Sequence, residues 1–230
     1  MKYRQKEILA ILQKNGSVSV AELSKTLYVA EMTVRRDLIE MEKDGLLHRY
    51  RGGAVLKINV GEMPITERLL LDKDEKESLA KKCVPFLHDD MTVFIDSSST
   101  CHYLLPLLAK YKKITVITNS VTTLLSLGKL HIPCIFIGGE YYEQDMCTVG
   151  SLAEEYAHKL NVDIAFFTTA AISFDGLISD FDLKQTSIRK IIMQNSKRNV
   201  FLFEKDKVGK KYLFTLCHKD DVDAVVMLDD

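Results

Sequence analysis

Apolar residues at helical spacing open the chain. Ile8, Ile11 and Leu12 share one face of the stretch 3–14, which predicts an amphipathic helix that ends before Gly16. Ser19 followed by Glu22 forms a capping box and predicts a second helix over residues 20–27. A third amphipathic stretch, which Gly45 is placed to end, has three apolar residues at i, i+4 and i+7: Val34, Leu38 and Met41.

Three short helices, with a tight turn before the third, are the arrangement of a helix-turn-helix, whose third helix lies in the major groove of DNA. Thr33, Arg35 and Arg36 fall on the faces of that helix that are turned away from the core. Arginine can bond to guanine or clamp a phosphate, and threonine can contact a phosphate or a thymine methyl. These three residues are therefore candidate DNA contacts. The alternative is an ordinary solvated helix face.

A β-hairpin is predicted directly after the third helix. Apolar and polar residues alternate on both sides of Gly52-Gly53, and glycine pairs are typical of tight hairpin turns. The hairpin carries Arg49 and Arg51. Beside a helix-turn-helix it would form a wing, and both arginines are candidate DNA contacts.

The rest of the chain alternates short β-rich runs with helical stretches, which predicts a mainly parallel sheet with helices on both faces. A helix precedes the first run and is bent or ended by Pro85. Leucines 104, 105 and 108 predict a helix after the first run, and leucines 124, 125 and 127 another after the second. The predicted strands are MTVFID, ITVIT, CIFIGG, DIAFFTTAA, NVFLFE and DAVVML.

A hydroxyl-rich turn follows the first of these strands. Its backbone N–H groups, side-chain hydroxyls and the start of the next helix could bind one anion, and ligands of open α/β sheets lie at strand carboxyl ends. The alternative is that the hydroxyls only cap the helix. The residues of this turn are Asp96, Ser97, Ser98, Ser99 and Thr100, and the next two strands end in Asn119, Ser120, Gly138 and Gly139.

Composition places the chain among ordinary folded proteins. It has 230 residues, of which 47% are hydrophobic and 27% charged, enough for one large domain or two modest ones. We expect a cytoplasmic protein without membrane contact, because no apolar run reaches about 18 residues and the N-terminus lacks the layout of a signal peptide. Five isolated cysteines and six histidines show no metal-ligand spacing, so no metal or cofactor is expected.

Charge is unevenly distributed along the chain. Residues 1–57 carry eleven Lys and Arg against seven Asp and Glu, whereas the remaining residues carry 20 against 25. A basic module joined to an acidic one is a weak indication of nucleic-acid binding, because phosphate neutralisation supplies much of the affinity. Chance clustering explains the charges equally well.

Two motifs carry a resemblance to a known family. TVRRDL at 33–38 and GLLHRYRGGAV at 45–55 resemble the winged-helix signature of the DeoR family of bacterial transcription regulators. The resemblance implies an effector domain similar to the sugar-phosphate isomerase and CoA-transferase folds, with a phosphate loop at 96–100. It also implies that Lys207 contacts phosphate or a substrate oxygen, the alternative being a solvated surface lysine. Further matches are ERLLLDKDEKESLAKK (67–82), FIDSSST (94–100), VITNS (116–120), GGE (138–140) and DKVGK (206–210).

The chain departs from that family pattern at several positions. Ala30 replaces a serine that caps the third helix, and the lost cap costs about 1 kcal/mol. If the backbone at Ser98 adopts a positive φ, as the usual glycine permits, the side chain costs about 1 kcal/mol or more. The remaining replacements near the expected pocket are Thr168, Ala171, Gln185 and Glu204.

Together these observations predict a non-enzymatic repressor of sugar or polyol genes that binds operator DNA and responds to a phosphorylated sugar or polyol. The expected organisation is a winged helix over 1–57, a linker over 58–74 and an α/β effector and oligomerisation domain over 75–230, assembled as a homodimer or homotetramer. One alternative is a regulator whose second domain no longer binds ligand. Another is a sugar-phosphate isomerase using Asp96 or Asp175 as its base.

Overall fold

The computed structural model describes residues 2–15, 17–50, 52–56 and 63–228. The chain divides into two compact units, residues 1–73 and residues 74–230. The elements of the first unit are α1 (Tyr3–Asn15), β1 (Ser17–Ser19), α2 (Val20–Leu27), α3 (Glu31–Lys43), β2 (Leu47–Tyr50), β3 (Gly53–Leu56) and α4 (Ile65–Arg68).

The first unit has the three predicted helices and the predicted hairpin. β2 and β3 pair antiparallel, with Tyr50 opposite Gly53, and β1 adds a third strand on the other side of β3. Gly16 and Arg51 lie outside the described residues, as does the first part of the predicted linker. Of the predicted apolar faces, Ile11 is only partly buried. The other members lie fully buried in this core: Ile8, Leu12, Leu23, Val34, Leu38 and Met41.

The ends of α2 and α3 follow from local hydrogen bonds. The Glu22 amide donates to Ser19 Oγ at 3.1 Å, and the Ser19 amide donates to the Glu22 carboxylate at 2.9 Å, so the predicted capping box is confirmed. Tyr28 ends α2 with φ of 54°, a left-handed conformation that is costly for a residue with a Cβ. Ala30 stands at the N-cap of α3 without a side-chain hydrogen bond, so the predicted loss of that cap is confirmed.

The second unit is built on a six-stranded sheet. Its elements are α5 (Lys73–Lys82), β4 (Thr92–Ile95), α6 (Ser99–His102), α7 (Leu105–Leu108), β5 (Thr115–Thr118), α8 (Val121–Leu130), β6 (Cys134–Phe136), β7 (Glu140–Tyr142), β8 (Cys147–Val149), α9 (Ser151–Ala157), β9 (Ile164–Phe167), β10 (Ala171–Ile172), β11 (Leu177–Asp180), α10 (Leu183–Gln194), β12 (Asn199–Leu202), β13 (Phe214–His218) and β14 (Ala224–Val226).

All neighbouring strands of this sheet run parallel, in the order β14-β12-β9-β4-β5-β6, and they are the six predicted strands. Successive side chains of a strand point to opposite faces. Val93 and Ile95 pack in the core beneath α5, α6, α7 and α8, whereas Phe94 packs in the core beneath α9 and α10. The predicted mainly parallel α/β architecture is therefore confirmed.

Several elements differ from the prediction. The helix before β4 ends at Lys82, and Pro85 lies in a separate 3-10 turn. The helix predicted around the leucines at 104–108 is two short helices, α6 and α7, with Pro106 in the first turn of the second. An antiparallel sheet of β10, β11 and β13 and a pair formed by β7 and β8 were not predicted.

Candidate functional site

The third helix presents arginines to solvent. Arg35 and Arg36 are exposed and Thr33 is half-buried. An Arg35 Nη2 atom lies 3.1 Å from the Glu31 carboxylate one turn earlier, in a pair that is about half exposed on both sides. Asp37, on the opposite face, is fully buried and accepts a hydrogen bond from Arg4 of α1, which ties α1 to α3. The arginine pair is thus on the outer face of a helix whose inner face is anchored.

The wing arginines differ from each other. Arg49 Nε lies 2.6 Å from the Glu42 carboxylate, and the Arg49 amide donates to the other oxygen of the same group at 2.8 Å. Arg49 therefore ties β2 to the end of α3. Arg51 lies outside the described residues, so its contact with DNA stays a prediction.

The hydroxyl-rich turn lies where the strand order reverses. From β4 the chain adds β5 and β6 on one side, and it then returns to place β9, β12 and β14 on the other. The carboxyl ends of β4 and β9 therefore flank a topological switch point, which is where open α/β sheets bind ligands. Every residue of the stretch 96–100 is buried there.

The backbone at Ser98 corrects one expectation. Its φ and ψ are −85° and 150°, an extended conformation that carries no penalty for a side chain. Ser98 is the N-cap of α6, and its Oγ accepts a hydrogen bond from the Cys101 amide at 3.1 Å. The conditional strain at this position is absent, because serine adopts an N-cap geometry that it favours.

A buried arginine organises one side of the turn. Arg189 of α10 donates from Nε to Asp96 at 3.2 Å, from Nη1 to Asp180 at 2.7 Å and from Nη2 to Gln185 at 2.9 Å. Gln185 Oε1 also accepts from Ser97 Oγ, and its amide group donates to Asp145. Burial raises the pKa of Asp96, although Arg189 and two backbone amides counteract it. Asp96 and Ser97 are thus held by protein groups.

A second cluster organises the other side. Glu204 accepts hydrogen bonds from Thr100 Oγ1 and from Lys207 Nζ, the latter at 3.0 Å, and its other oxygen lies 3.5 Å from Lys76 Nζ. Lys207 also donates to Thr168 Oγ1 at 3.3 Å. Burial alone would raise the pKa of Glu204, but Lys207, Lys76 and Thr100 together lower it to about 2. Thr100 and Lys207, predicted separately, are joined through this carboxylate.

The neighbouring strand ends contribute polar groups as well. The Asn119 amide side chain donates to the Thr148 carbonyl at 2.9 Å, and among the described residues its buried Oδ1 has no hydrogen-bond partner. Ser120 caps α8 by accepting from the Thr123 amide at 3.2 Å. Gly139 has φ of 156°, and an added Cβ there would meet the Val149 carbonyl at 2.7 Å. This glycine is required for close packing.

Sequence reasoning found Lys207 but missed the two other cations of this region, Arg189 and Lys76. Arg189 follows Ile188 and precedes Ile191 and Ile192 on the inner face of α10. A charged residue within an apolar stripe is a signal for a paired, buried ion. Lys76, which precedes the buried Leu79 on α5, gave the same signal.

Metal sites require clustered ligand side chains, and membrane-spanning helices require a long apolar run. Across the part of the chain that is described, no group of three or more His, Cys, Asp or Glu side chains is arranged to hold a metal ion. Within the same residues, no helix combines the length and the apolar character needed to cross a bilayer.

Two family models match the chain. The model of the DeoR-like helix-turn-helix domain matches residues 4–59, and that of the DeoR C-terminal sensor domain matches residues 71–229. This chain belongs to the DeoR family. It is therefore a transcriptional regulator, with a DNA-binding helix-turn-helix and a sensor domain, rather than an enzyme.

Relatives within the DeoR family match the chain along almost its whole length. The lactose phosphotransferase system repressor of Staphylococcus aureus is 30% identical over 97% of this chain and 90% of its own. The glycerol-3-phosphate regulon repressor of Escherichia coli is 26% identical over 96% of this chain and 88% of its own. The regulator IolR of Bacillus subtilis is 29% identical over 99% of this chain and 92% of its own.

Solved structures resemble the DeoR-family chain in fold. The eIF2B delta structure from Chaetomium thermophilum has a TM-score of 0.50 and 14% identity, covering 70% of this chain and 57% of its own. Ribose 5-phosphate isomerase from Plasmodium falciparum has a TM-score of 0.44 and 20% identity, covering 60% of this chain and 53% of its own. The chain thus spans just over half the length of these proteins.

Proposed function

We propose that this DeoR-family regulator is a repressor of genes for sugar or polyol metabolism, and that a phosphorylated sugar or polyol releases it from its operator. The exposed Arg35-Arg36 pair on α3 carries the DNA-binding part of the proposal. The names of its relatives support the metabolic part, since they include repressors of glycerol-3-phosphate and lactose phosphotransferase genes.

The proposed interface with DNA consists of α3 and the wing. Arg36 reads a base or clamps a phosphate, while Arg35 does so after exchanging its contact with Glu31. Thr33 near the start of α3 contacts a phosphate or a thymine methyl, and Arg49 and Arg51 contact the backbone from the wing. Residues 1–57 are the proposed DNA-reading domain, followed by a linker over 58–74 and an effector domain over 75–230.

The proposed effector site is the switch point at the ends of β4 and β9. Asp96 through Thr100 and Lys207 surround it, with Asn119, Ser120, Gly138 and Gly139 contributed by the neighbouring strand ends. The unsatisfied Asn119 Oδ1 supports a ligand rich in hydroxyls, because a buried acceptor gains most from a ligand that brings a donor. Lys207 and the turn at 97–100 support an anionic group on that ligand.

The isomerase alternative requires a carboxylate that is available as a base. Asp96 is held by Arg189, and Asp175 is exposed and accepts a hydrogen bond from Ser173. Neither arrangement favours proton abstraction from a sugar carbon. The family assignment and this geometry both support the regulator.

The effector proposal predicts a coupled response. Saturation with the correct sugar phosphate should weaken operator binding about 5- to 150-fold, because typical coupling free energies are about 1–3 kcal/mol. Lys207→Met, which keeps the apolar stem but removes the charge, should lose at least tenfold in effector affinity. Operator binding titrations against a panel of sugar phosphates measure both effects.

The matched control for that experiment is Lys210→Ala, which removes an exposed lysine three residues away. This variant should respond to the effector like the wild type. A normal response of Lys207→Met would place the anion elsewhere. Failure of every sugar phosphate at millimolar concentration would favour the alternative in which the sensor domain only assembles the protein.

The proposed assembly is a homodimer or homotetramer with two-fold symmetry. A single small DNA-reading module buries too little surface for operator-grade affinity, so two modules are expected to bind half-sites about one helical turn of DNA, or a multiple of it, apart. Analytical ultracentrifugation should give an even-numbered species both free and on DNA. A monomer under both conditions would contradict this prediction.

A further inference from the structure

One buried carboxylate, that of Glu204, binds two of the donors that the sequence predicts for a ligand phosphate and one further lysine. Glu204 takes the hydroxyl of Thr100 and the ammonium of Lys207 on one oxygen, and its second oxygen faces the ammonium of Lys76. The Lys207 group is further fixed by Thr168 Oγ1. A hydroxyl and two ammonium groups converging on one oxyanion are the donor set that also suits a phosphate.

The surroundings make this internal anion a persistent one. The side chains of Glu204 and Lys76 are 7% and 3% exposed, so their attraction is only weakly screened by water. The pKa of Glu204 falls to about 2, because its cationic partners outweigh the effect of burial. The carboxylate is therefore ionised throughout the physiological pH range. Lys207 and Lys76 already have an anionic partner, with which a second anion would have to compete.

We infer that Glu204 occupies the anion position of the effector site, so that a phosphate group binds Lys207 and Lys76 only by displacing the Glu204 carboxylate. This inference rests on the proposed function, whose ligand site it refines. Glu204 thereby determines the class of ligand that the site accepts. Inorganic phosphate has no attached carbon chain to make further contacts, so it competes poorly with a tethered carboxylate that is already in place.

A successful ligand therefore needs contacts beyond its phosphate. The unsatisfied Asn119 Oδ1 is a buried acceptor at the end of β5, with β9 and β4 between it and β12. A hydroxyl of an extended ligand that reaches it would add a hydrogen bond that inorganic phosphate at Glu204 cannot supply. Binding energy from such hydroxyls would offset the displacement of Glu204. The site would then select a phosphate attached to a hydroxylated carbon chain over phosphate alone.

The test is isothermal titration of inorganic phosphate into the full-length wild type and the Glu204→Gln variant, in phosphate-free buffer. Glutamine keeps the shape but removes the negative charge that Glu204 presents to the ammonium groups of Lys207 and Lys76. We expect phosphate to bind Glu204→Gln at least tenfold more tightly than the wild type. Phosphate should also raise the melting temperature of the variant much more than that of the wild type.

Two further variants make the result specific. Asp37→Asn removes another buried carboxylate with a basic partner, but in the first unit, and phosphate should not rescue its stability. Glu204→Asp retains the charge on a shorter side chain and should show an intermediate gain in phosphate affinity. If Glu204→Gln does not fold, the phosphate affinity of Glu204→Asp alone tests whether Glu204 competes with phosphate.

Equal phosphate affinity in the wild type and both Glu204 variants would overturn the inference, as would weaker binding in the variants. The outcome is separable from that of the proposed function. If no sugar phosphate alters operator binding by the wild type, yet Glu204→Gln gains phosphate affinity, the effector proposal fails and the role of Glu204 stands. If the wild type responds to a sugar phosphate whose affinity Glu204→Gln leaves unchanged, the effector proposal stands and the role of Glu204 fails.

Discussion

Arg189→Met is expected to lower the free energy of unfolding by about 3–5 kcal/mol, because it leaves Asp96 and Asp180 buried without their cation. Methionine fills a similar volume, so the loss reports the missing charge and hydrogen bonds more than a cavity. Urea denaturation followed by circular dichroism measures the change. Arg189→Lys should lose less free energy of unfolding than Arg189→Met. It should still be less stable than the wild type, because one ammonium cannot reproduce the guanidinium group that reaches both Asp96 and Asp180.

The stability deficit of Arg189→Met should shrink as the pH is lowered from 8 to 5. Burial already raises the pKa of Asp96, and removing Arg189 raises it further. A carboxyl whose pKa is higher in the folded than in the unfolded state binds more protons when folded, so its contribution to stability increases as the pH falls. Denaturation curves at several pH values test the sign directly.

The matched control is Arg198→Met, which removes an exposed arginine just before β12. Its effect should stay within about 0.5 kcal/mol at every pH. A loss of less than about 1 kcal/mol in Arg189→Met would mean that the buried network does not hold the turn at 96–100.

Loss of the arginine pair on α3 should have the largest effect on DNA binding. Arg36→Ala is expected to cost about 1–3 kcal/mol of specific binding, or about 5- to 150-fold in affinity, and Arg35→Ala/Arg36→Ala should cost more. The reason is that both side chains are exposed on the outer face of the helix predicted to enter the groove. An operator selected from random duplexes by the wild type provides the ligand.

Lys110→Ala/Lys112→Ala is the control with the same change in net charge, because both lysines are exposed in the second unit. Its operator affinity should remain within about twofold of the wild type, whereas each lost phosphate contact in the arginine variants should reduce the salt slope by about one. Normal operator affinity in the double arginine variant would refute the assignment of α3 as the DNA-reading helix.

The sequence predicts those parts of the fold whose signals are local. The capping box at Ser19 and Glu22 predicted the bounds of α2, since both of its hydrogen bonds form within four residues. The six strands of the parallel sheet were likewise predicted, because buried strands are continuous apolar runs. The pair β10 and β11 was missed because β10 has only two residues and β11 ends in two polar ones, so neither is a continuous apolar run.

The candidate site was only partly predictable for a related reason. The turn at 96–100 was found from its hydroxyls and its place after a strand. The partners of those residues come from far along the chain, as with Arg189 for Asp96 and Glu204 for Thr100. The apolar neighbours of Lys76 indicate that it is buried, but they do not identify its carboxylate partner, Glu204, which lies far along the chain.

The position of β4 in the middle of the sheet affects how the protein is made. Val93 pairs with Val116 of β5, but also with Ile164 of β9, 71 residues later. At about 5–20 residues per second, the ribosome needs roughly 4–14 s to supply that second neighbour. During that time the nascent β4 has an open edge and an uncovered apolar face, whereas all strands of the first unit have already been synthesised. We therefore expect chaperones that cover this edge, or slower synthesis in the cold, to increase the yield of folded protein at high expression levels.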